Sequence, residues 1–270
     1  MADLHTTPRT LYASVSGWAE MGGVAFFANH TDGHGGELWR TDGTREGTRL
    51  VRDIFPGTGT SNLSNLVALD GRLFFKAQDY YGQYALWSSD GTPEGTLPLH
   101  PFGDSPRSLI PLGNTLLFMA RQVGSPYAWG LWKSDGTAAG TLPVKLGLSM
   151  GTDYGVYSAP VRLGDRLLFV SLDAEHGQEL WSTDGTPEGT GLMKDLRPGK
   201  ADSNPTAFAQ LGGMLLLWAR SDSDNFDLWR TDGTAEGTVR IKDLHPGTGW
   251  GLSYNTRLIA APDGSVFFMA

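Results

Sequence analysis

The chain contains no cysteine, which excludes disulfide bonds and thiolate metal sites and leaves either side of a membrane open as its compartment. No window carries apolar residues at helical spacing over three turns, so helices are not expected to build the core. No apolar run approaches the ~18 residues that a spanning helix needs, and no membrane span is expected. The first residues, Met-Ala-Asp-Leu-His-Thr-Thr-Pro, lack the basic region and apolar stretch of a secretory leader. Basic residues are few and scattered: 21 Lys and Arg stand against 29 Asp and Glu, for a net charge of −8. The basic patch of a nucleic-acid binder is missing, so nucleic acid is not an expected partner.

What the chain does have is turn chemistry. Its 270 residues include 37 Gly and 15 Pro, with 40 % hydrophobic residues. That combination points to many short strands joined by tight turns around a packed interior.

The sequence also repeats. Leu-Trp recurs at Leu38-Trp39, Leu86-Trp87, Leu131-Trp132, Leu180-Trp181 and Leu228-Trp229, the tryptophans being 48, 45, 49 and 48 residues apart. After two further residues each copy continues Asp-Gly-Thr-x-x-Gly-Thr, beginning at Asp42, Asp90, Asp135, Asp184 and Asp232. A glycine turn and an apolar run precede each Leu-Trp, and a sixth such run, Phe267-Phe268, ends the chain. One period reads as four strands; in the second these are residues 65–69, 72–78, 83–89 and 96–101, with Asp70-Gly71 as a two-residue hairpin turn. Roughly 45–50 residues per four-stranded unit is the period of a propeller blade. The fold expected is all-β, a β-propeller of four-stranded antiparallel blades forming a single domain over residues 1–270. The recurring indoles Trp39, Trp87, Trp132, Trp181 and Trp229 are expected to fill the space between blades.

The pattern resembles the bacterial repeat family named for its Glu-Leu-Trp-x-x-Asp-Gly-Thr signature. Glu37-Leu38-Trp39 and Glu179-Leu180-Trp181 match it fully, while Ala85, Gly130 and Asp227 replace the glutamate elsewhere. Arg52-Asp53, Lys194-Asp195 and Lys242-Asp243, each followed by Pro-Gly, also resemble family pieces; the second and third units lack that Pro-Gly. The resemblance implies a propeller from an exported or surface-associated bacterial protein. It implies no chemistry, because it brings no catalytic motif. The compartment itself stays open.

Six inner halves but five Leu-Trp halves favour six blades, the last closed by both chain termini. The alternatives are five blades with an extra hairpin, or a sixth blade completed by another subunit; the oligomeric state stays open.

In such a blade the A–B and C–D turns share one edge, and they repeat. The B–C and D–A loops share the other, are expected not to repeat, and are where function is expected, since function concentrates on variable loops held by a rigid scaffold. The candidate ligand-binding residues there are His30, Asp32, His34, Tyr80, Tyr81, Tyr127, Trp129, Asp153, Tyr154, Tyr157, His176, Asp224, Asn225, Trp250 and Tyr254. Aromatic planes beside carboxylates and amides suit a glycan or a protein partner.

Several motifs invite sharper chemistry. The Asp-Gly-Thr turns offer oxygens, but each supplies one carboxylate where calcium takes about 6–8 ligands; the favoured reading has each aspartate bonding its own turn. Asp222, Asp224 and Asp227 lack the glycine and glutamate of a calcium loop. His30 and His34 flank a turn rather than sharing a helix face, so no metal is expected. Gly147-Leu148-Ser149-Met150-Gly151 fits the hydrolase elbow but follows a strand in an all-β unit, the wrong context for it. Trp18 and Trp218 are expected in the core or lining a channel. No cofactor is expected, calcium being the alternative. The functional expectation is a non-catalytic binding module using the B–C/D–A edge, with an enzyme at a channel mouth or a purely architectural repeat as alternatives.

Overall fold

The computed structural model describes residues 17–124, 129–149, 159–221, 225–242, 258–261 and 265–267. Among the described residues there is no helix, and therefore none long and apolar enough to cross a membrane. Five sheets of four antiparallel strands account for the five repeats. Sheet one is β1 (Trp18–Met21), β2 (Val24–Thr31), β3 (Gly35–Thr41) and β4 (Arg49–Arg52). Sheet two is β5 (Ser64–Leu69), β6 (Arg72–Gln78), β7 (Tyr84–Ser89) and β8 (Leu97–Phe102). Sheet three is β9 (Arg107–Leu112), β10 (Thr115–Arg121), β11 (Trp129–Ser134) and β12 (Leu142–Leu146). Sheet four is β13 (Val161–Leu163), β14 (Arg166–Asp173), β15 (Gly177–Thr183) and β16 (Gly191–Lys194). Sheet five is β17 (Thr206–Leu211), β18 (Met214–Arg220), β19 (Phe226–Thr231) and β20 (Val239–Lys242). A short pair, β21 (Ile259–Ala260) and β22 (Val266–Phe267), follows. The strands expected for the second repeat differ from those observed by one residue at most at any end.

Turn chemistry sets this meander. Asp70 and Gly71 both take positive φ, 49° and 69°, the geometry that lets a two-residue hairpin follow the strand twist. In each Asp-Gly-Thr turn the aspartate bonds its own loop: Asp90 Oδ1 accepts the Thr92 amide at 2.9 Å and the Thr92 hydroxyl at 2.7 Å. The Thr92 hydroxyl in turn accepts the Gly95 amide at 2.9 Å, and Ser89 and Thr96 close the turn through a buried hydroxyl pair at 2.7 Å. The turns at Asp42, Asp135, Asp184 and Asp232 repeat these bonds. The threonine bonds hold all five carboxyls below the ordinary aspartate value.

The chain divides into two compact units, residues 1–143 and 144–270. In the first, alternate residues of each strand reach neighbouring sheets. Phe26, Ala28, Leu38 and Val51 of sheet one pack with Leu73, Phe75, Ala77 and Trp87 of sheet two. The opposite face of sheet two, Phe74 and Leu86 with Phe102, packs with Leu116, Phe118, Ala120 and Trp132 of sheet three. In the second unit, Leu168, Leu180 and Met193 of sheet four pack with Leu215, Leu217 and Trp229 of sheet five. The far face of sheet five, Trp218 and Phe226, meets Leu258 and Val266.

Trp87, Trp132 and Trp229 thus each lie against the preceding sheet. Trp181 is buried too, with the Lys145 ammonium 5.6 Å from its ring. Trp39 is half-buried, and no sheet precedes sheet one among the described residues. Trp218 is buried, whereas Trp18, at 67 % exposed, is not part of the core.

Candidate functional site

The B–C loops and the D–A connections meet at one edge of the sheets, and the backbone itself makes the joint. The Ser61 amide donates to the Gly36 carbonyl at 3.1 Å, and the Gln78 amide donates to the Ser61 carbonyl at 2.7 Å. One loop residue therefore ties the start of β3 to the end of β6. In the second unit Ser203 repeats both contacts with Gln178 and Arg220.

Two of these loop pairs carry the same polar set. In sheet one Glu37 is fully buried; its Oε2 accepts the Ile54 amide at 2.8 Å and its Oε1 the Ser61 amide at 3.0 Å. In sheet four Glu179, equally buried, accepts Leu196 at 2.8 Å, Ser203 at 3.1 Å and the Ser203 hydroxyl at 2.7 Å. Burial pushes both carboxyls up to about 7 against the pull of these donors, and the neighbouring charges of Asp53 and Asp195 add to the rise. Asp53 Oδ2 meets His34 Nδ1 at 3.1 Å and accepts the Gly57 amide at 3.4 Å; Asp195 Oδ2 accepts Gly199 at 3.2 Å.

The expectation that this edge does not repeat therefore fails for sheets one and four. His34-Gly35-Gly36-Glu37 and His176-Gly177-Gln178-Glu179 are one motif, completed by Asp53 to Gly57 and Asp195 to Gly199. The signal was available in the sequence: the copies with glutamate have Pro-Gly, and those with Ala85 and Gly130 do not. The glutamate serves the loops and not the sheet, so sheets two and three form without it.

The remaining candidates fall out as follows. Tyr80 and Tyr81 are exposed at 62 % and 89 %, their rings 5.7 Å apart, and Phe55 from the preceding D–A loop lies 5.4 Å from Tyr80. Asp53, on the same D–A loop as Phe55, joins that loop to His34 of the B–C loop of sheet one. Sequence reasoning missed Phe55 and noted Asp53 only as a family-like piece, not as a site residue, since neither departs from an ordinary loop composition. His30 is exposed at the end of β2, and Asp32 is exposed in the following turn. Trp129, half-buried at the start of β11, has the Arg107 guanidinium 4.9 Å from its ring centre.

His176 pairs with Asp173 at 2.9 Å. That bond raises the imidazole; burial opposes ionisation of Asp173, but bonds from His176 and Glu175 hold its carboxyl below the ordinary value. Asn225 is half-buried just before β19. Tyr127, Asp153, Tyr154, Tyr157, Asp224, Trp250 and Tyr254 lie outside the described residues. Ser149, of the hydrolase-like motif, forms an isolated antiparallel bridge with Leu172, not a strand-to-helix turn. Among the described residues no three His, Asp or Glu side chains converge as metal ligands.

The chain matches no protein-family model and no curated protein. Among solved structures it is similar to a puromycin hydrolase mutant complexed with PGG, with a TM-score of 0.51 and 14 % identity over 95 % of this chain and 43 % of that one. It is also similar to prolyl oligopeptidase B from Galerina marginata, with a TM-score of 0.50 and 11 % identity over 92 % and 39 %. TolB from Acinetobacter baumannii follows at 0.38 and 14 % over 91 % and 57 %. The chain spans less than half the length of the first two. The likeness concerns the fold alone, a propeller-like all-β arrangement.

Proposed function

We propose that the chain is a non-catalytic binding module that holds a glycan or a protein on its B–C/D–A edge. One observation carries this reading: Tyr80 and Tyr81 stand in solvent on a rigid base, backed by Phe55. Two exposed tyrosines at one loop are poor choices for solubility, and they offer flat apolar planes with polar tips at small entropic cost. The loop beneath them is already fixed: Asp79 Oδ1 accepts the Tyr81 and Gln83 amides, both at 2.9 Å, so little order has to be gained on binding.

The proposal includes a ring of six blades, the last assembled from both chain ends. Support comes from the sixth inner hairpin, β21 and β22, whose Val266 packs on the far face of sheet five as an inner half of a next blade would. It also includes membership of the Glu-Leu-Trp-x-x-Asp-Gly-Thr repeat family, for which five copies of Leu-Trp-x-x-Asp-Gly-Thr speak, two of them with the leading glutamate.

A glycan microarray and a crosslinking pull-down, each run with the native chain and with Tyr80→Ala/Tyr81→Ala, test the reading. Binding by the native chain and its loss in a variant of unchanged melting temperature is expected. Native protein that captures nothing at high concentration, or a variant that binds equally well, refutes it.

A further inference from the structure

Five sheets built to one plan differ in how they treat one buried position. The residue two places before each motif tryptophan is Glu37, Ala85, Gly130, Glu179 or Asp227. Sheets two and three place nothing polar there. Sheet five places a buried carboxyl but gives it a cation: Asp227 Oδ2 lies 3.1 Å from Arg240 Nη1 and accepts the Ser221 hydroxyl at 2.7 Å. Glu37 and Glu179 are buried as deeply, and among the described residues neither bonds to a cation; their partners there are backbone amides and a serine. A buried carboxylate without a counter-ion is costly, and the nearby acids make it more so.

Among the described residues the charged groups around each site are few. Facing Glu37 are Asp53 from the D–A loop and His34 from the B–C loop, already bonded to each other, with neutral Asn29 opposite on β2. Facing Glu179 is Asp195 from the D–A loop, which in turn interacts with His176 of the B–C loop, bonded there to Asp173 with Glu175 beside it; neutral Ser171 is opposite Glu179 on β14. Arg52 and Lys194, next in the chain to Asp53 and Asp195, point elsewhere, to carbonyls of the following sheet.

We propose that Glu37 and Glu179 are proton-operated clasps that tighten or release the D–A loops of sheets one and four as the pH crosses neutrality. This rests on the binding reading in one respect only, that the loop clasped by Glu37 carries Phe55 to the exposed tyrosines. The chemistry is set by the cost of a buried charge. A carboxylic acid keeps a carbonyl oxygen for the Ile54 or Leu196 amide, which among the described residues bonds only to the glutamate, while its hydroxyl oxygen falls to Ser61 or Ser203, whose amide has a second acceptor in the carbonyl of Gly36 or Gln178. The clasp therefore holds when the glutamate is protonated. Once the proton leaves, the carboxylate lies buried beside Asp53 or Asp195 and regains water only by parting from the loop, so the loop is released on the alkaline side. Burial holds the two carboxyls near the pH at which such a change would be felt.

The test needs no ligand. Carboxyl carbon shifts of Glu37 and Glu179 in the native chain are followed by NMR from pH 4 to 9, together with amide protection factors corrected for intrinsic exchange. Both side chains should titrate near neutrality, and protection at Ile54 and Leu196 should fall at least tenfold on the alkaline side. Glu37→Gln, a permanently neutral mimic, should keep the acid-side protection at Ile54 at every pH. Titration near the ordinary glutamate value, or Ile54 and Leu196 protection that does not follow the titration, overturns the proposal. The binding reading survives that result, because Tyr80 and Tyr81 can hold a ligand on an unswitched loop.

Discussion

The Arg52 guanidinium donates to the carbonyl of Thr96 at 2.7 Å, linking the last strand of sheet one to the turn of sheet two. A second bond reaches Pro93 at 3.0 Å. Sheet four makes the same joint to sheet five with a different side chain, Lys194 Nζ donating to Thr238 at 2.6 Å and Ala235 at 3.2 Å. The basic residue of the Arg/Lys-Asp pair is thus a staple between consecutive sheets, and the acid beside it belongs to the loop.

Because lysine already serves in sheet four, Arg52→Lys should cost little, while Arg52→Met should lose about 1–2 kcal/mol of stability by leaving two turn carbonyls without a charged donor. Urea denaturation of both variants measures this. Equal losses would mean that the planar guanidinium, 6.0 Å from Trp87, matters through its stacking instead.

Trp87 is 4 % exposed and stacks on Phe75 at 6.4 Å. Trp87→Ala should cost about 3–5 kcal/mol, the range for a large buried aromatic. Trp39→Ala should cost clearly less, since Trp39 is half-buried. Chemical denaturation midpoints that rank the two the other way would contradict the packing.

In the turn of sheet two, a side chain at Gly95 would lie 2.1 Å from Asp90 Oδ1. The carboxylate cannot retreat without giving up its Thr92 bonds, so Gly95→Ala and Asp90→Ala should damage the same feature. Their double variant should fall short of the summed losses by about 1 kcal/mol, as expected for residues in one network. Strict additivity in a double-mutant cycle would argue that the turn tolerates both changes separately.

Gly35 has φ +62° and a side chain there would sit 1.5 Å from the Gly59 carbonyl oxygen, while Gly33, two residues earlier, faces open space. Gly35→Ala should therefore push the 53–63 loop off β3 and destabilise by more than about 2 kcal/mol, with Gly33→Ala near neutral. Proteolytic nicking of the loop in Gly35→Ala and not in Gly33→Ala checks the assignment.

Stability should also depend on pH in two windows of opposite sign. Glu37 and Glu179 keep a proton up to about 7 when folded but release it near 4.5 when unfolded. The folded state holds more protons between those values, so this contribution declines as pH rises from 4.5 to 7. The five turn aspartates have folded values below 3.8, so their contribution is present above 3.8 and is lost as pH falls through the folded values. Taken alone, these groups contribute most at about pH 4–5, in the gap between the windows. Urea midpoints taken across this range in the native chain and in Glu37→Gln/Glu179→Gln test it; the double variant should lose the decline toward pH 7.

The sheets were legible because their signals are local and repeated. Asp70-Gly71 dictates its turn wherever it stands, and Leu86-Trp87 announces a buried strand by its own alternation. The loop edge was harder to read. Glu37 acts on Ile54 and Ser61, 17 and 24 residues away, and nothing in its immediate neighbours says so. The pairing of glutamate with Pro-Gly could have revealed it, had the copies been compared by absence as well as presence. Trp18, expected in the core or lining a channel, is exposed and so stands outside the core. Phe55 was invisible since its partner, Tyr80, comes from the next repeat.

The way Trp87 and Trp132 lean back on the sheet before them has a consequence for biosynthesis. Chains leave the ribosome from the amino end, so the surface that receives each of these indoles exists before the indole is translated. A growing polypeptide can seal each joint as soon as the next hairpin emerges, leaving only its newest face naked. A fragment starting at sheet two would instead carry Phe75 and Trp87 uncovered from its first moments, and should be the stickier product.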